Sequence, residues 1–481
     1  MRYRVYNAME ALDRLTTRFR VILGALLALG LAGLLAIYNI ESGPLRNLND
    51  IGGWDNRALF ILMCAAVHAL ILLLCTLMHR GSFWRLALRE VILTAGFYIL
   101  LLGINHKAYV YLHVLQPLIR AMDEGGLAAA AAMEHNLSAP MLLLVYLITR
   151  GPVFDMYLLK LFAICSYMLL ALLVVHAADK RGFAIRAEVL LALCMILPQG
   201  FMNAGFSAMV ETAVVALLAA SLWLASGECE KRRLIGCVVY GFACALSGAA
   251  LYALPLYAYM AYKGKIRKEY LLAVPAVMLT SCVPAVVCGM GVFDALASLV
   301  RANLGIARYA SGAPGLMNLV PFAQVEQMPQ YAPILRYFEQ LDTVTHAQPY
   351  YTQAHFEQMA SGVALAGLAL YLGVCALGFK AKNKTPLERA MIFVLGTLIA
   401  CPNTSSAVWL AADVLCLYAI VSAPGLRLPA CLVLFATMTS CSYPMTEEVM
   451  LPMIWAFVLC LAALLMLLDV IPMGRREEAH E

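Results

Sequence analysis

The sequence predicts an all-α, polytopic transmembrane helical bundle carrying external amphipathic helices, and three observations predict it. Hydrophobic residues fill 63% of 481 positions and charged ones only 13%, with a mean hydropathy of +0.81. Soluble domains carry about 25% charged residues, so lipid has to be the main solvent of this chain. Apolar runs recur along the sequence, the longer ones sufficient to cross ~30 Å of hydrocarbon, and short clusters of Lys and Arg separate them.

The first apolar run, Val21 to Ile40, follows Arg2, Arg4, Arg14, Arg18 and Arg20 and lacks a small-residue cleavage site behind it, so it reads as an uncleaved signal anchor. The positive-inside rule then puts the N-terminus in the cytoplasm. Further spans read roughly at 58–78, 91–104, 152–176, 187–203, 205–224, 235–249, 250–262, 270–289, 361–379, 390–401, 404–423, 429–441 and 448–472. Parity supports this count, since Arg80/Arg85/Arg89, Lys180/Arg181/Arg186, Lys231/Arg232/Arg233, Lys263/Lys265/Arg267/Lys268, Lys380/Lys382/Lys384 and Arg475/Arg476 then all fall inside. Both termini are expected in the cytoplasm of a bacterial inner membrane. Several runs are short, and 138–149 has to re-enter from outside, so the count lies between about eleven and fourteen.

Three segments are left external: 41–57, 105–151 and 291–360. The last has no Lys, three Arg and five acids, with Gln324, Gln327, Gln330, Tyr331, Tyr337, Phe338, Tyr350 and Tyr351. A structureless loop of that length is rare, which predicts amphipathic helices lying over the outer interface. The fifteen cysteines avoid all three segments and sit almost wholly in apolar runs, as small packing residues rather than a disulfide framework or a metal site.

The same bounds exclude function classes. No basic face remains for a polyanion, so nucleic acid is not an expected partner and membrane lipid is. Walker, dinucleotide-binding, HExxH and nucleophile-elbow motifs are all absent, which argues against ATP-driven transport by this chain. What remains is ionisable residues at the membrane face, where they are costly and therefore candidate site residues.

The 105–151 stretch runs Asn105-His106-Lys107, Tyr109, Tyr111, His113, Gln116-Pro117, Asp123-Glu124-Gly125-Gly126, Glu134-His135-Asn136 and then Leu137-Ser138-Ala139-Pro140. Its order resembles that of bacterial GT-C membrane glycosyltransferases related to the GPI mannosyltransferases. In that family an external helix with a Pro precedes a Gly-Gly turn and an Asn-Tyr-Pro-Pro-like re-entrant segment. The resemblance extends to Lys160-Leu161, to Gly205 through Ala208 in the place of a Gly-Gln-x-Asp helix entry, and to Gly241 through Leu254-Pro255. It continues at Gly312-Ala313-Pro314-Gly315 and at Pro402 to Val414, which ends in Ala412-Asp413-Val414. The frame covers roughly 105–425, and no single piece is specific alone.

The resemblance implies a sugar donor linked to a polyprenyl phosphate. A carboxylate would act as base, alone or through a divalent cation, while cationic and His side chains stabilise the departing phosphate. The chain departs from the family at those groups: an acid is missing upstream of Pro117, Ala208 stands for the Asp, and Asn403 to Val408 replaces a His-Glu-Arg-Tyr element. Glu211, three residues beyond Ala208 and about one helical turn away, is the candidate substitute. Asp50 and Asp55 in the first external loop are the alternative catalytic acids. His106, Lys107, Asn136 and Asn318 are the candidate substrate contacts. Each has a plainer role open to it: a helix-to-helix bond for Glu211, loop capping for the two Asp, interfacial solvation for the histidines. At the level of the whole chain three readings stay open, namely an active transferase with a rearranged site, a non-catalytic scaffold that binds a lipid-linked glycan, and a transporter or flippase.

Overall fold

The computed structural model describes residues 2–48, 51–79, 81–108, 111–133, 135, 137–180, 184–304, 314–316, 353–381, 383–401, 406–441 and 453–471. Among them every regular element is helical and no strand occurs. In chain order the helices are α1 (Arg2–Glu41), α2 (Gly53–Met78), α3 (Phe83–Leu101), α4 (Gln116–Ala132), α5 (Ala139–Thr149), α6 (Asp155–Lys180), α7 (Ala184–Ile196), α8 (Thr212–Ala225) and α9 (Glu230–Leu246). They continue with α10 (Leu254–Tyr262), α11 (Ala273–Thr280), α12 (Val283–Val287), α13 (Val292–Leu304), α14 (Gln353–Lys380), α15 (Pro386–Ala400), α16 (Ser406–Ser422), α17 (Arg427–Cys441) and α18 (Met453–Leu467).

Among the described residues, five helical segments are long and apolar enough to cross a membrane: Phe19–Glu41, Gly53–Met78, Asp155–Lys180, Lys268–Val287 and Gly362–Lys380. The pair Ala187–Ile196 and Pro198–Phe206, bent by 51°, makes a sixth if taken as one broken span. On α1 the side chains of Leu26, Leu29, Leu34 and Ile37 lie exposed, a surface that only lipid would solvate favourably. These are the helices of a multi-pass membrane protein. Ala139–Thr149, Thr212–Ala225, Ser406–Ser422 and Ile454–Leu467 are apolar but shorter; the last three overlap the runs read as full spans at 205–224, 404–423 and 448–472.

The chain divides into two compact units, one of residues 1–116 and 145–219 and the other of 117–144 and 220–481. In the first, α1, α2, α3, α6 and α7 pack together. Here α3 begins at Phe83, well before the apolar run at 91, because its charged first turns have partners. Arg89 binds Asp179 at 2.5 Å and Glu188 at 2.8 Å, and Arg85 binds Glu188 at 3.0 Å. Thr76 Oγ1 donates to Glu90 Oε1 at 2.7 Å.

In the second unit α14 to α18 enclose an apolar core around Trp409, Ile392, Ile399, Val433 and Leu464. Thr385 and Glu388 form a reciprocal capping box with Pro386 at the first helical position, which starts α15 sharply after the basic loop. Asp413 is wholly buried and accepts a bond from Thr437 Oγ1 at 2.6 Å, so it serves the packing of α16 on α17. Of the external 291–360 segment, α13 is helical; apart from 314–316, residues 305–352 lie outside the described ones, as do 402–405.

Candidate functional site

Within the first unit, the turn that follows α3 is held from below by a lysine. Lys160 is fully buried on α6, and its ammonium donates to the carbonyls of Gly103 at 2.7 Å, Ile104 at 3.1 Å and His106 at 2.5 Å. An ammonium has three N–H donors, so the charge is completely satisfied, and the turn's carbonyls gain the partner that a helix end otherwise lacks. Glycine makes this approach feasible. A Cβ on Gly103 would lie 2.8 Å from the Gly205 carbonyl, and one on Gly205 would lie 2.5 Å from the Leu100 carbonyl oxygen. The turn after α3 and the π-turn Phe201–Phe206 therefore cross backbone to backbone.

That crossing sets the next contact. The His106 imidazole stacks on Phe206 with centroids 3.6 Å apart and planes 17° from parallel. Partial desolvation against this ring, followed by the positive charge of Lys160, pushes the His106 pKa down and favours its neutral form. Lys107 is exposed and lies 5.9 Å from the Phe154 ring centroid, so the turn presents a cation at its surface. Asn105 donates to the Pro44 carbonyl at 3.2 Å, which ties the turn to the first external loop. Tyr111 donates to Asp155 Oδ1 at 2.7 Å, so this acid at the start of α6 is already engaged.

Beyond Phe206 the backbone is irregular before α8 begins. Ala208 has φ +56°, a left-handed conformation that is uncommon for a residue with a Cβ. Met209 N–H closes the segment by donating to the Asn203 carbonyl at 2.9 Å. Glu211 follows, half-buried, one residue before α8. The sequence reading placed it inside a continuous span over 205–224; instead it stands at the mouth of α8, because the π-turn and Ala208 interrupt the helix there.

Sequence-derived candidates thus separate. His106 and Lys107 share a turn, and that turn contacts the Phe201–Phe206 segment leading to Glu211. Asp55 is exposed in the first turn of α2, where a negative charge favours the helix dipole. Asp50, Asn136 and Asn318 lie outside the described residues. Among the described residues no group of three or more His, Cys, Asp and Glu side chains is arranged to hold a metal ion. Lys160 is the residue whose role the sequence concealed: a lone charge in an apolar run signals a site, but not that three carbonyls converge on it. No protein-family model, curated protein or solved structure matches this chain.

Proposed function

We propose that this chain is a GT-C-like membrane protein of the bacterial inner membrane that binds a polyprenyl-phosphate-linked sugar at its outer face and transfers the sugar during cell-envelope glycan assembly. The turn at 102–108 is the observation that carries the reading. Its backbone is fixed by Lys160 and Gly205, and it exposes the Lys107 ammonium beside a His106 imidazole whose neutral form is favoured. A site of this kind is pre-organised toward a phosphate leaving group. In the same reading the chain crosses the membrane about eleven to fourteen times, with the shorter apolar helices as half-spans and both termini in the cytoplasm. Glu211 is the base, and Asp50 with Asp55 the alternative.

A second reading is favoured by one feature. Ala208 stands where the family carries its Asp, which suits a scaffold that binds a lipid-linked glycan without transferring it. Sugar transfer in membranes carrying Glu211→Gln, and separately the Asp50→Asn/Asp55→Asn pair, separates the two. Loss by about 10²-fold or more with Glu211→Gln alone supports the transferase. Loss only with the Asp pair moves the base to the first loop. Absence of transfer in the wild type, with surface glycan still dependent on the protein, leaves the scaffold.

A further inference from the structure

The second unit contains a buried histidine whose bonding is half complete. His135 is 9% exposed, and its Nδ1 accepts the Leu137 N–H at 3.2 Å. With Nδ1 an acceptor, the neutral ring must carry its proton on Nε2. That Nε2–H is shut from water and has no hydrogen-bond partner among the described residues. A buried donor left unpaired is costly enough that native structures rarely keep one without a ligand, ion or water.

Its surroundings are built and polar. Ser138, wholly buried, donates to the Leu246 carbonyl at 2.9 Å and accepts from Met141 N–H at 3.3 Å at the start of α5. Ala139 N–H donates to Ser298 Oγ at 2.9 Å, and Ser298 donates to the Ala295 carbonyl at 2.8 Å. Thus α5 and α13, drawn from two of the external segments of the sequence, are pinned together beside His135. Arg301 lies three residues after Ser298, on the same side of α13. It is exposed, makes no ion pair among the described residues, and is close enough for its charge, after burial, to help push the His135 pKa down. The first amides of α5 are already bonded, so that helix end contributes its positive field rather than donors.

We infer that His135 Nε2–H and the Arg301 guanidinium form an oxyanion subsite at the N-terminus of α5, and that its ligand is the phosphate ester of a polyprenyl lipid, a second lipid phosphate separate from the donor's at the 102–108 turn. A neutral donor, a cation and a helix dipole drawn from separate elements suit the tetrahedral spread of phosphate oxygens. The identity of the lipid rests on the proposed function; the oxyanion site does not.

Full-length protein in zwitterionic nanodiscs, labelled with ¹⁵N-histidine, reads the site directly. The His135 signals are assigned by their absence in His135→Gln. Polyprenyl phosphate, inorganic phosphate and uncharged polyprenol are the probes. Polyprenyl phosphate should shift Nε2, polyprenol should not, and Arg301→Gln should weaken binding by about tenfold or more, as expected for a charge-assisted contact, with Arg301→Lys partly restoring it. An equal response to inorganic phosphate supports the oxyanion site with free phosphate as its ligand and overturns the lipid assignment. No Nε2 shift with either phosphate, or the same shift with polyprenol, overturns the site. Phosphate binding at His135 without sugar transfer refutes the transferase and leaves the subsite standing. Transfer together with unchanged polyprenyl-phosphate binding in folded Arg301→Gln and His135→Gln refutes the subsite and leaves the transferase standing.

Discussion

Replacing Lys160 by Met keeps the apolar stem and removes the ammonium that holds the 102–108 turn. The three acceptors do not lose equally. Gly103 O also accepts the His106 N–H at 3.2 Å, and the exposed His106 can hydrate its own carbonyl, so Ile104 O, on a buried residue, is left without its bond. One orphaned buried carbonyl costs about 1–3 kcal/mol. The substitution also relieves the desolvation of a buried charge, which keeps the total near the lower part of that range. The assay is native-state hydrogen exchange in detergent micelles, read on peptides covering 102–108. A loss of about 1–3 kcal/mol in local opening speeds exchange there roughly 5- to 150-fold while α6 stays protected. Exchange at 102–108 within twofold of wild type, in a folded Lys160→Met protein, would show that the ammonium does not hold the turn and would remove the basis for treating His106 and Lys107 as pre-organised.

Two other outcomes follow from the same geometry. Gly205→Ala drives a methyl group into the Leu100 carbonyl, which is backbone and cannot swing aside, so a stability loss of about 1–3 kcal/mol is expected in thermal unfolding; an unchanged midpoint would mean that the two segments do not cross so closely. His135 has a lowered pKa in the native state, so below the ordinary imidazole value of about 6.5 the unfolded chain binds the extra proton more readily. Stability from this residue is therefore present above about pH 6.5 and is lost as pH falls through the folded pKa; denaturation of His135→Gln across pH 5 to 7.5 should be flatter than that of wild type, and parallel curves would contradict it.

The long spans were legible because hydrophobicity alone specifies them: Val21 to Ile40 lies within α1, the run at 58–78 lies within α2, and that at 152–176 overlaps α6 from Asp155 onward. Hydropathy failed where polar groups pay no penalty for burial. It started α3 late because it cannot see that Arg85, Arg89 and Glu90 find Glu188, Asp179 and Thr76 far along the chain. It ran a span through 205–224 because Gly205 to Val210 are apolar or small, while the break there comes from a backbone crossing at Gly205 and a left-handed Ala208. The site divided the same way. His106 and Lys107 were visible as ionisable groups at a membrane face, whereas the carbonyl set around Lys160 and the His135 nitrogen that has no partner among the described residues are backbone and tertiary properties with no local pattern.

Photo-crosslinking tests the central claim most directly. A polyprenyl-phosphate sugar carrying a diazirine on its first isoprene unit, irradiated with the protein in native membranes and mapped by peptide mass spectrometry, should label residues 102–108 and 201–211, and excess unlabelled donor should abolish the labelling. Labelling spread along the lipid-facing surface of α1 and insensitive to competitor would contradict a lipid-phosphate site at that turn.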